Sequence, residues 1–104
     1  MPDTPSFFVH EKADSDLEEI FDYSVERFGF SRAVSYVRDI EAMFFELAAN
    51  PGSGKPFDPQ RPHYLHKRVE SHFIYYGICD SGIEVFRILH ERMLPSHYLS
   101  ADFP

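Results

Sequence analysis

The sequence has no tryptophan, one cysteine (Cys79) and five glycines in 104 residues. It also has no apolar run near the roughly 18 residues a membrane-spanning helix needs. A lone cysteine closes no internal disulfide and supplies none of the Cys/His spacing of a structural metal site, which points to a reducing compartment. The N-terminal stretch MPDTPSFFVHEK has neither the basic start nor the apolar stretch of a secretion signal. The expectation is a cytoplasmic protein without membrane contact and without a cofactor. An excess of positive charge is missing too, since the formal net charge is −7. All of the imbalance falls in residues 1–50, where 11 acidic side chains face 4 basic ones; residues 51–104 hold 6 of each. Phosphate neutralisation supplies most of the affinity of a nucleic-acid binder, so this balance argues against direct nucleic-acid binding by the chain alone.

What is present is apolar and aromatic. A hydrophobic fraction of 43%, with 11 Phe and 6 Tyr, can bury enough surface to offset chain entropy. At this length residues 1–104 form a single domain.

Periodicity gives the order of elements. Residues 6–11, SFFVHE, read as a short strand. Leu17, Ile20, Phe21, Ser24, Val25 and Phe28 recur at helical spacing, with Ser15 and Glu18 as a capping box and Gly29 as the stop. Ser31 can cap a second helix to about Ala49, with Ala33, Val37, Ile40, Phe44 and Leu47 on its inner stripe. So short a connection folds the two back as an antiparallel hairpin. PGSGKPFDPQRP reads as a loop. The segments HYLHKRV, HFIYYGI and IEVFRIL then read as three strands joined by tight turns. The fold expected is α+β: an N-terminal helical hairpin packed on a mainly antiparallel sheet, in the order β-α-α-β-β-β.

Six histidines invite a metal, but His63 and His66, three apart in a strand, point to opposite faces, so no metal site is expected. Antiparallel pairing would bring His72 and His90 together at one end of the sheet. The carboxylates of the first helix read as a solvated outer face, and Cys79 as a packing residue. Arg87, inside an apolar strand, needs a paired acceptor and reads as structural.

The segments DLEEIFDYSVERFG, Ala33 to Tyr36, FFELAANPGSGKP, SHFIYYGI and above all EVFRILHERM resemble the ParE branch of the RelE/ParE toxins of bacterial type II toxin–antitoxin systems. The likeness spans residues 7 to 99. It implies a toxin neutralised by a ParD-like antitoxin, and a choice between two targets: ParE-like members inhibit DNA gyrase as protein ligands, whereas RelE-like members cut messenger RNA on the ribosome. Metal-free RNA cleavage needs an acid, a base and cations on the scissile phosphate. The residues available for it are Tyr64, His66, Arg68, Arg92, His97 and Tyr98. Tyr64 and His66, however, stand where the RelE-like lysines would be, Phe73 where an arginine would be, and Glu91 near a second arginine position. The ParE-like reading, a protein inhibitor and not an enzyme, is therefore preferred. It assigns Arg92, Met93, Leu94, His97 and Tyr98 to the target surface. Tyr23 and Phe45, which fall off the inner helical stripes, and Phe57 become the expected antitoxin anchors.

Overall fold

The computed structural model describes residues 6–99. A first strand, β1 (Ser6–Val9), leads into helix α1 (Glu11–Phe28). Helix α2 (Phe30–Ala49) follows, then a 3-10 turn (Pro51–Ser53) and a two-residue strand β2 (Lys55–Pro56). Strands β3 (Tyr64–Val69), β4 (His72–Cys79) and β5 (Gly82–His90) and a short helix α3 (Pro95–Tyr98) complete the described residues. The sheet order is β1-β5-β4-β3-β2, with β1 parallel to β5 and every other pairing antiparallel. The α+β class, the hairpin and the order of the long elements agree with the sequence reading.

Local details differ. Helix α1 begins at Glu11, which leaves Ser15 inside the helix and dissolves the expected capping box. The first helical bond instead runs from the Asp14 N–H to the His10 carbonyl, and Glu11 and Asp14 place negative charge at the positive end of the helix dipole. Helix α2 starts at Phe30, one residue ahead of Ser31. Gly29 alone joins the helices, at φ +94°, a conformation that only glycine adopts without strain. Phe28, expected inside, is 64% exposed because it lies in the last turn of α1, where it lines a cleft instead of the core. The glycine- and proline-rich segment is not wholly loop, since β2 pairs Lys55 with His66 and Pro56 with Leu65 at the sheet edge. Proline suits such an edge because it has no N–H to leave unpaired.

The core lies between the hairpin and one face of the sheet. Ala13, Leu17 and Ile20 of α1 and Ile40, Phe44 and Leu47 of α2 pack on Leu65, Ile74, Tyr76, Ile83, Val85 and Ile88. Tyr76 is fully buried; its hydroxyl donates to the Pro51 carbonyl at 2.6 Å and accepts from the Gly54 N–H at 3.1 Å, tying the loop to the core.

Between Tyr75 and Tyr76 the register slips by one residue: Tyr75 pairs with Arg87 and Tyr76 with Val85, leaving Phe86 as a bulge. The inward positions therefore change phase along β5, from Ile83 and Val85 to Ile88. This is why the strand reads as an almost unbroken apolar run.

Candidate functional site

Asp16 lies on the buried stripe of α1 with Ala13, Leu17, Ile20 and Ser24, so one carboxylate of that helix is not on the solvated face. Its Oδ2 accepts from Arg87 Nε at 2.8 Å and from the Ile88 backbone N–H at 2.9 Å, while Oδ1 accepts from Arg87 Nη2 at 2.9 Å. This fork is the acceptor that Arg87 required. It raises the guanidinium pKa further, against the opposing effect of burial. The remaining nitrogen, Nη1, donates to the Tyr98 carbonyl at 3.2 Å, and the guanidinium carbon lies 5.6 Å from the centre of the Tyr98 ring. Arg87 thus clamps α3 to α1.

Tyr64, His66 and Arg68 alternate along β3 and share the sheet face turned away from the hairpin, together with Phe73 and Tyr75 of β4. His66 stacks on Phe73 with centroids 4.8 Å apart and donates from Nδ1 to the Lys55 carbonyl at 2.8 Å. Arg68 is ion-paired with Glu91 and lies over Phe73. Phe57 packs edge-on against Tyr75 at 4.9 Å and contacts His66, so it is half-buried within the chain's own aromatic cluster. Arg92, Leu94 and His97 are exposed in and around the tail. The Met93 sulfur accepts from the His90 backbone N–H at 3.3 Å. The structure brings Tyr64, His66 and Arg68 onto one face and Tyr98 against Arg87. Tyr23 lines the cleft described next, whereas Phe45 meets Phe7 at 4.9 Å on the hairpin's other flank, so these two do not form one patch.

His72 and His90 are directly opposed, with ring centroids 5.2 Å apart. Tyr36 of α2 lies above them, its hydroxyl 2.6 Å from His72 Nδ1 and 3.2 Å from the Val69 carbonyl. Both contacts are satisfied when His72 donates from Nδ1 and Tyr36 donates to Val69. The Arg92 N–H donates to His90 Nδ1 at 3.1 Å. Tyr36, His72 and His90 border a cleft of about 250 Å³ between the Gly29-linked end of the hairpin and the β3–β4 turn. Sequence reasoning placed the two histidines together but missed Tyr36. Its signal was its position three residues after Ala33 and four before Ile40 on the α2 stripe.

Burial, then the neighbouring His90, push the His72 pKa down to about 4. As pH falls, the unfolded chain takes up this proton near the ordinary value of about 6.5 while the folded chain resists. His72 therefore contributes stability above about pH 6.5 that is lost as the pH falls toward 4. Because the ring is partly exposed, the effect should be about 1 kcal/mol. Urea unfolding at pH 7 and pH 4.5 should show a smaller acid-induced loss for His72→Gln than for the unaltered chain; equal losses would remove His72 from this role.

Among the described residues, no three or more His, Cys, Asp or Glu side chains gather as a metal site, and no helix is long and apolar enough to cross a membrane.

A sequence profile described as "ParE toxin of type II toxin-antitoxin system, parDE" matches residues 7–95. The chain belongs to the ParE toxin family. The curated Toxin ParE1 of Mycobacterium tuberculosis is 35% identical over 88 residues, covering 84% of this chain and 90% of that protein. Toxin ParE1 of Caulobacter vibrioides is 33% identical over 85 residues, covering 82% and 88%. A solved structure of the chromosomal ParDE toxin–antitoxin system from P. aeruginosa superposes with a TM-score of 0.73 at 26% identity, covering 86% of this chain and 98% of that one. The YoeB/ParE toxin from Agrobacterium tumefaciens shares the fold, with a TM-score of 0.58 at 17% identity, 82% of this chain and 96% of that one.

Proposed function

We propose that this ParE-family chain is a toxin that inhibits DNA gyrase by binding it, and that a ParD-like antitoxin holds it in check. The observation that carries the reading is the state of the cations near the open sheet face. Arg87 is spent on Asp16 and the tail, and Arg68 is paired with Glu91; by resemblance, Phe73 stands where RelE-like members carry an arginine. A breaking phosphodiester needs uncommitted, converging positive charge, and these groups already have partners. The exposed tail, with Arg92, Leu94 and His97, is the surface assigned to the target; Met and Arg are enriched at such surfaces.

Purified toxin should block supercoiling by gyrase or trap cleaved DNA, and should leave translated messenger RNA intact. Gyrase that is unaffected by a stoichiometric excess would refute the target, and cut transcripts would favour the endoribonuclease reading through Tyr64, His66 and Arg68.

For the antitoxin, the exposed Tyr23 and Phe45 are the expected anchors, at 57% and 66% exposure. The double change Tyr23→Ala, Phe45→Ala should weaken antitoxin binding at least about a hundredfold, as loss of aromatic anchors does elsewhere. Unchanged affinity would move the interface.

A further inference from the structure

We propose that the cleft at the Gly29-linked end of the hairpin receives an acidic–apolar segment of a protein partner, in which one aromatic or leucine side chain enters the cleft and flanking carboxylates meet arginines on its rim. The inference rests on the proposed action by protein binding, and it adds the chemistry of the bound segment.

Three observations converge here. The first is shape: the cleft of about 250 Å³ opens between Tyr23 and Phe28 of α1 and the β3–β4 turn, and it continues into a shallow depression bordered by His90, Glu91 and Arg92. The second is unburied aromatic surface. Phe28 and Tyr23, both in the cleft wall, are 64% and 57% exposed, so two large rings stand uncovered at one tip of a small domain. Clustered exposed aromatics of this kind mark binding sites more often than scattered ones do.

The third is charge, which commits the occupant. The chain is strongly acidic overall, yet three guanidiniums surround this cleft: Arg32 in its wall, Arg92 in the adjoining depression, and Arg27 5.4 Å from the centre of the Tyr23 ring. Three carboxylates act on the cleft's ionisable groups, and each already faces an arginine: Asp16 is forked to Arg87, and Glu70 and Glu91 have arginines of their own. Glu70 is 4.0 Å from Arg32, a long and exposed contact, while Glu91 is held by Arg68. An incoming carboxylate would find Arg92 and Arg27 on the rim and could displace the weak Glu70 contact at Arg32. An incoming lysine would meet the same three cations and be repelled. The interior, by contrast, offers hydrogen-bonding groups and no guanidinium or carboxylate: the Tyr36 hydroxyl and the His72 and His90 rings. It suits an apolar side chain with a polar edge and not a buried charge.

The test uses the full chain and three end-capped peptides of equal length in a serine background: one with phenylalanine flanked by two glutamates, one with the glutamates replaced by lysines, and one with the phenylalanine replaced by alanine. Binding is followed by amide chemical shifts. The Glu–Phe–Glu peptide should shift Tyr36, Ser71 and His72 and bind at least about tenfold more tightly than either other peptide. The double variant Arg32→Gln, Arg92→Gln, both positions being exposed, should lose most of that affinity while its thermal midpoint stays put. Equal binding of the glutamate and lysine peptides, unchanged binding by the double variant, or no shifts at millimolar peptide would each overturn the proposal. Because the peptides report on the cleft directly, a negative result here leaves the gyrase assay free to succeed or fail by itself.

Discussion

Asp16→Ala should be among the most destabilising single changes in this chain, lowering the unfolding free energy by about 3–5 kcal/mol. Such a loss would be a large share of the roughly 5–15 kcal/mol typical of a domain. The side chains of Asp16 and Arg87 are 11% and 15% exposed, so removing the carboxylate strands a guanidinium in a place water hardly reaches. The same change leaves the buried Ile88 N–H without its acceptor. Asp16→Asn should lie between the extremes, since the amide oxygen can still accept from Ile88 but cannot neutralise Arg87. Replacing both partners with leucine should cost far less than Asp16→Ala, because no unpaired charge remains. Urea unfolding of the three variants checks the order. A loss below about 1 kcal/mol for Asp16→Ala would mean that the fork contributes no more than a surface pair.

A second large effect is expected at Gly82, for a backbone reason. The residue has φ +151°, and a Cβ there would lie 1.8 Å from the Ser6 carbonyl oxygen. A main-chain atom in a paired strand cannot swing aside as a side chain can. Gly82→Ala should therefore cost about 3 kcal/mol or more, combining the φ penalty with the steric one. The loss should be localised: the amides of Ser6 and His10, which bond to the Ser81 and Val85 carbonyls, should lose hydrogen-exchange protection first. Gly77→Ala is an instructive comparison, because its nearest neighbour at 2.9 Å is the edge of the Phe86 ring, and Gly52→Ala, with nothing within 4 Å, is the control. If Gly82→Ala unfolds at the same urea concentration as Gly52→Ala, β1 is not held as described.

Much of this architecture was legible because helix and strand periods are strong local signals. The hairpin stripes and strands β3 to β5 followed from them, as did the juxtaposition of His72 and His90, which antiparallel pairing enforces. Helix ends were less legible: Ser15 and Ser31 are good caps in isolation, but the turn out of β1 and the single-residue Gly29 link set the boundaries instead. The two-residue β2 has too few residues to show a period. The bulge at Phe86 was hidden for the opposite reason, since a strand apolar on both faces gives the same pattern with or without it. At the candidate site the sequence pointed to Arg87 but not to its partner. Asp16 was read with the solvated acids, although a carboxylate on the stripe of Leu17 and Ile20 is the mark of a paired charge. The Tyr36 contact joins residues 36 positions apart, and no local pattern encodes that.

The placement of β1 also bears on how the molecule is made. Its partner is the last long strand, Ser6 aligning with Gly82 and Val9 with Val85, and Asp16 likewise waits for Arg87. During synthesis β1 and the hairpin are made first, with the apolar stripe bare and strands β2 to β5 not yet translated. Assembly of both the parallel pair and the ion pair is deferred until β5 has been made, so the hairpin spends that interval without the surface that covers its apolar stripe.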